Sequence, residues 1–150
     1  MRHFASTQIH WKSFQLIVAC SVITGGCNRG PSLVPVSGQV NIDGKPLEHG
    51  VVTVWVKNYR PACGAIDKDG HFTLMTHVAG DGCVAGNYPV TISSEVGIGG
   101  NLKRVLAPER YNDPTLSNLS VTVDQPRKDW AIDLTWEGDS HQEPYVVKDE

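Results

Sequence analysis

From Val36 onward, apolar and polar side chains trade places at every residue. In VSGQVNID, Val36, Gly38, Val40 and Ile42 share one parity and Ser37, Gln39, Asn41 and Asp43 the other, the pattern of a strand buried on one face. VVTVWV, residues 51–56, is apolar on both parities, as a central strand is. CGAIDKDGHFTLMT predicts a hairpin whose first strand ends near Ile66. Its turn runs through Asp67, Lys68, Asp69 and Gly70, and its return strand sends Phe72 and Leu74 inward; Asp-Gly supplies the positive φ of a tight turn. GNYPVTISS sets Tyr88, Val90 and Ile92 against Pro89, Thr91 and Ser93, and the proline assigns this strand, or that end of it, to a sheet edge. NLSVTVD contributes Leu119, Val121 and Val123, and DWAIDLTW contributes Trp130, Ile132, Leu134 and Trp136. Seven strands with turn signals between them and no amphipathic helix predict an all-β fold, an antiparallel β-sandwich over residues 36–136.

Two segments break the meander. EVGIGGNLKRVLAPERYNDPTLS is long for a loop, so it is either a flexible excursion or a stretch held against the sandwich by Leu106 and Tyr111. The tail, residues 137–150, is polar and carries Pro144; it is expected to be poorly ordered, with YVV as a weak edge strand. At 150 residues the chain is long enough for one core. Its 15 glycines and 9 prolines fit a turn-rich β protein, and a formal charge of −3 disfavours nucleic-acid binding.

The alternation begins only after an unlike leader. Arg2 and Lys12 precede an apolar stretch, Phe14–Thr24, which at about half the ~20 residues of a membrane-spanning helix matches an export signal instead. Gly25 and Gly26 then precede Cys27. The segment resembles a bacterial lipobox, in which the cysteine thiol receives a diacylglycerol and becomes the new N-terminus. Thr24 stands where such boxes usually carry leucine, and IVAC ending at Cys20 is the competing site. An ordinary secretory signal cleaved nearby is the other reading. On the lipobox reading, residues 1–26 are removed, residues 27–35 form a tether, and two or more acyl chains on Cys27 hold the protein to a membrane of the cell envelope, on its periplasmic side or at the cell surface. Removal of Arg2 and Lys12 with no carboxylate leaves the exported part more acidic than the whole. Cys63 and Cys83 remain as an even pair in an oxidising compartment and are expected to be bonded. Two free thiols are the alternative, since Cα atoms beyond about 7 Å cannot be bridged.

The order of VSGQVNIDGKPLEHGVVTVW, AIDKDGHFTL and GNYPVTI resembles the carboxypeptidase regulatory-like, or transthyretin-like, β-sandwich. Together with the leader, the GDG before GNY and ERYNDPTLSNLSVTV, the chain is similar to small lipoproteins of planctomycete-type bacteria over about residues 34–135. The resemblance implies a seven-stranded Greek-key, prealbumin-like fold. It implies no single activity, since such domains serve as accessory, adhesive and transport modules.

The chemistry in the residues is sparse. No Gly-x-Ser-x-Gly, Walker loop or His-Glu-x-x-His occurs, and the chain ends YVVKDE, where transthyretin-like hydrolases end in Tyr-Arg-Gly-Ser. A hydrolase would need two of His49, His71 and His77 in a cleft beside Arg104 or Arg110. Asp67 and Asp69 begin like a calcium loop, but its bidentate glutamate is missing, so no metal and no cofactor are expected. Trp130 falls on the core parity, Trp136 at the strand end is ambiguous, and Trp55 shares parity with Thr53, which makes it the candidate ligand-facing aromatic. The sequence thus predicts a non-catalytic, lipid-anchored structural or protein-binding module whose partner is an envelope protein or a glycan, with a carbohydrate-binding module as its rival.

Overall fold

The computed structural model describes residues 30–148; the leader, Cys20 and Cys27 lie outside them. Within that span the chain is all-β, and the only helical element is one 3-10 turn, Glu109–Asn112. All seven expected segments are strands. The expected count is nevertheless too low, for six further strands bring the described total to thirteen.

In chain order these are β1 (Leu33–Val34), β2 (Val36–Ile42), β3 (Lys45–Pro46), β4 (Gly50–Val54), β5 (Ala62–Ile66), β6 (His71–Thr73) and β7 (Cys83–Val84). They continue with β8 (Gly86–Ser93), β9 (Glu95–Gly99), β10 (Leu102–Val105), β11 (Leu119–Val123), β12 (Arg127–Leu134) and β13 (Tyr145–Lys148). One sheet has the order β11-β8-β4-β5. A second joins β12 to β2, whose other edge pairs with β6 near its start and β3 near its end. The inward parities of both sheets meet in one interior that contains Val40, Val52, Phe72, Leu74, Val90, Ile92 and Leu134. Phe72 and Trp130 meet there edge to face, with centroids 5.6 Å apart.

β12 runs parallel to β2, with Gly38 opposite Trp130 and Val40 opposite Ile132. The expectation of a wholly antiparallel fold is corrected at this pair. Alternation fixes which side chains point inward, not the direction of the neighbouring strand. The approach is close: a Cβ on Gly38 would lie 1.9 Å from the Trp130 carbonyl oxygen. At the end of β2, Asp43 and Gly44 both take positive φ, 47° and 76°. That geometry closes the two-residue turn that pairs Ile42 with Lys45.

β8 lies between β11 and β4 and Pro89 is opposite Ser120, so the expected sheet edge is corrected for the strand as a whole and holds only for the β4 side of its Pro89 end. Trp55 donates its backbone N–H to the Pro89 carbonyl at 3.0 Å, but proline has no N–H to return. The β4–β8 ladder ends one residue earlier, at Val54 opposite Val90.

The long segment after Ser93 is no flexible excursion. β9 and β10 form a hairpin that continues the line of β8, and the tail strand β13 pairs along β10 from Val105–Tyr145 to Leu102–Lys148. Tyr111 is buried in the core cluster and Leu106 packs against it. The Arg110 guanidinium fastens the tail: it pairs with Asp139 at 3.1 Å, donates to the carbonyls of Thr135 and Glu137, and stands 4.8 Å over the Tyr111 ring. Tyr145 stacks on His141 at 3.6 Å and donates to Glu109 at 3.1 Å. The expectation of a poorly ordered tail is therefore corrected, and its YVV is indeed an edge strand. On the entry side, the tether residues Leu33 and Val34 pair with β7.

The close β2–β12 approach predicts that Gly38→Ala lowers unfolding free energy by about 3 kcal/mol or more. Gly97, with nothing within 4 Å of an added Cβ, is the control, and Gly97→Ala should stay within about 0.5 kcal/mol in the same urea titration.

Candidate functional site

Each strand of the β11-β8-β4-β5 sheet sends every second side chain away from the core. From β4 these are Val51 and Thr53, followed by Trp55 just past its end; from β5 they are Cys63 and Ala65. β8 and β11 add Asn87, Pro89, Thr91, Ser93, Ser120 and Thr122. None of these is charged. The outward residues of the second sheet include Asp129 and Asp133, and Asn41 donates to Asp133 at 3.1 Å. A solvent-facing sheet normally carries lysine and glutamate, so the neutral face is the distinctive surface.

Trp55 occupies one end of that face and is 44% exposed. Its indole Nε1 donates to Thr91 Oγ1 at 3.0 Å, which leans the ring across from β4 toward β8 and buries the Thr91 side chain. The indole N–H is thereby satisfied while much of the ring stays open, a pre-ordered aromatic contact. The registry Cys63–Thr53–Thr91 crosses three strands beside it, and Met75, paired to Cys63 by two backbone hydrogen bonds, extends the apolar area.

Cys63 and Cys83 are free thiols, which corrects the expected disulfide. Cys63 belongs to the outward parity of β5, its Sγ 3.8 Å from Thr53 Oγ1. Cys83 is fully buried in the core cluster, where loss of water pushes its thiol up to about 11. The sheet layer itself separates the two sulfurs.

The histidines do not converge. His77 follows β6 and meets Tyr59, Nε2 to hydroxyl at 3.0 Å, while His49 precedes β4 and His71 opens β6 at the opposite end of the sheets. Arg110 is committed to the tail, and Arg104 lies outward on β10. In the hairpin turn, Asp67 Oδ1 accepts the N–H groups of Asp69 and His71, both at 2.9 Å. The His71 bond chiefly holds the carboxyl below its usual range. Among the described residues no group of three potential metal ligands assembles.

Alternation along the strands could not reveal one feature, a cleft of about 480 Å³ between the Lys45–Glu48 turn and the tail at Gln142–Pro144, floored by Leu47, Leu106 and buried Trp136. Its lining holds no histidine, arginine, cysteine or hydroxyl side chain. The tail forms one wall, and no local pattern brings residue 143 to residue 45; only the apolar parity of Trp136 hinted at it.

No family model, curated protein or solved structure matches the chain.

Alkylation of the nonreduced folded protein, mapped by peptide, should modify Cys63 rapidly and Cys83 only after denaturant is added. Failure of both to react in denaturant until a reductant is present would restore the disulfide.

Proposed function

We propose that the chain is a non-catalytic, lipid-anchored module of the cell envelope, with a transthyretin-like Greek-key sandwich, that binds a protein through the neutral face around Trp55. The observation that carries this reading is the contrast between the two sheets, one charged outside and one not. Docking on an uncharged face strips water from no ion, and the centres of protein interfaces are depleted in charge and enriched in tryptophan. The cleft is lined by Lys45 and the carboxylates of Asp43, Glu48 and Glu143 but holds neither a histidine nor an arginine, so it does not offer the histidine pair and arginine that the hydrolase reading needs. The leader and Cys27 support export and anchoring.

One observation favours a glycan as the second reading: hydroxyls of Thr53, Ser93, Ser120 and Thr122 share the face with the Trp55 indole, and sugar rings use stacking and hydroxyl contacts together.

Two experiments address the parts separately. Labelled palmitate fed to the native host should enter the protein and be lost in Cys27→Ala; label retained by that variant would remove Cys27 as the anchor. A photo-crosslinker at Ala65 should trap one protein, and Trp55→Ala should weaken binding of that purified partner about 30-fold, the loss typical of an interface hot spot. Retention on envelope polysaccharide that Trp55→Ala abolishes, with no protein trapped, would transfer the face to the glycan reading.

A further inference from the structure

The point where the chain enters the domain is fixed. Gly30 sits beside Tyr59, whose hydroxyl would lie 3.5 Å from an added Cβ, and Tyr59 in turn holds His77 at 3.0 Å. The entry, the loop from Val56 to Pro61 and the loop from Thr76 to Gly82 thus meet at one end of the sheets. The strand directions add the β11–β12 turn, with Asp124 and Arg127, to the same end.

Cys27 is three residues from Gly30, and even a fully extended chain reaches only about 10 Å over that distance. On the anchoring reading above, on which this inference rests, the acyl chains therefore hold this end of the domain within about 10 Å of the lipid. Its chemistry suits the neighbourhood. Val78, at 65% exposure, is the most exposed large apolar residue among those described. Lys57 and Arg60 are exposed in the loop that carries Tyr59, Arg127 at the start of β12 lies 3.8 Å from Asp129, and Tyr59 presents a ring with a polar edge, the side-chain type favoured at headgroup level.

Of the three carboxylates at this end, Asp124, Asp129 and Asp81, the last is turned into its own loop, where it accepts the N–H groups of Thr76, His77 and Val78 at 2.7–3.0 Å. The opposite end carries most of the described acids, among them Asp43, Glu48, Asp67 and Glu143, with Asp69 paired to Lys68 at 3.3 Å and Glu95 to Lys103 at 2.8 Å. An anionic leaflet attracts the first end and repels the second, over a range of one Debye length.

We infer that the end of the domain formed by the loops around Tyr59 and Val78 lies on an anionic lipid surface, with Val78 at the headgroup boundary and Lys57 and Arg60 against the phosphates. The anchored domain then has one orientation instead of swinging freely.

The full-length lipidated protein tests this in vesicles of phosphatidylcholine with phosphatidylglycerol as the minority lipid. Cys63→Ser removes the accessible native thiol, and an environment-sensitive dye is placed at Val78→Cys or, at the opposite end, at Lys68→Cys. Flotation reads anchoring. The dye at 78 should shift to the blue and be quenched by headgroup-nitroxide lipid, the dye at 68 should do neither, and Lys57→Glu with Arg60→Glu should reduce the quenching at 78. Floating protein with the same spectra at both positions overturns the orientation and leaves the anchor standing. Protein that fails to float overturns both.

Discussion

A strand that buries one residue must expose the next, and the rest of this molecule follows from that constraint. Val40 with Trp130 and Ile132, Val52 with Val54, Phe72 with Leu74, and Val90 with Ile92 fill one interior from both sheets, and their burial is the principal source of stability. The intervening residues have no choice of side. Thr53, Cys63, Thr91 and Ser93 are directed outward because Val52, Ala62, Val90 and Ile92 are directed inward. The neutral face is thus tied to the core: a register slip of one residue in β4 would send Val52 to solvent and Thr53 inside. The face is held as firmly as the core behind it.

The same constraint explains which features could be read from the chain. Strand positions and inward residues were legible because Val36–Ile42, Tyr88–Ile92 and Trp130–Leu134 alternate without interruption. Strand direction was not, because parity is the same for a parallel and an antiparallel neighbour, so β12 beside β2 had to be seen. The β9–β10 hairpin was hidden by Gly97, Gly99 and Gly100, which erase alternation where the strand continues. β13 was legible as a strand but not as part of the fold, since its partner β10 lies some forty residues away in sequence, and the contacts that support the ladder, Arg110 to Glu137, Tyr145 to Glu109 and Trp136 against Tyr145, are equally remote from local pattern.

The cysteines divide along the same line. Cys63 stands in ACGAI between inward Ala62 and Gly64, so its outward direction could be read. Cys83 stands in GDGCV, among glycines and an aspartate with no alternation to orient it. Compartment chemistry alone then favoured a bond, and it carries no information about which side of a sheet a sulfur occupies. Trp55 is the opposite case. Its parity with Thr53 put it outside, and what the sequence lacked was Thr91, the cross-strand hydroxyl that holds the ring down.

The division of the molecule into ends and faces links these features. The end carrying the tail is closed by Arg110, whose guanidinium satisfies three carbonyl and carboxylate groups of the chain after β12; charge-assisted bonds of this kind contribute about 1.5–3 kcal/mol each. Its acidic side chains suit contact with water. The other end gathers the chain entry, Val78 and the cations of two loops. The neutral face runs along the side of the sheets between them, with Trp55 at the entry end. In the proposed orientation that side stands upright on the lipid surface, at the height of other proteins held in the same membrane. A short tether leaves the flank that rises from Trp55 open to a partner that itself stands on the lipid surface, and confinement to that shared surface raises the local concentration of any partner anchored beside it.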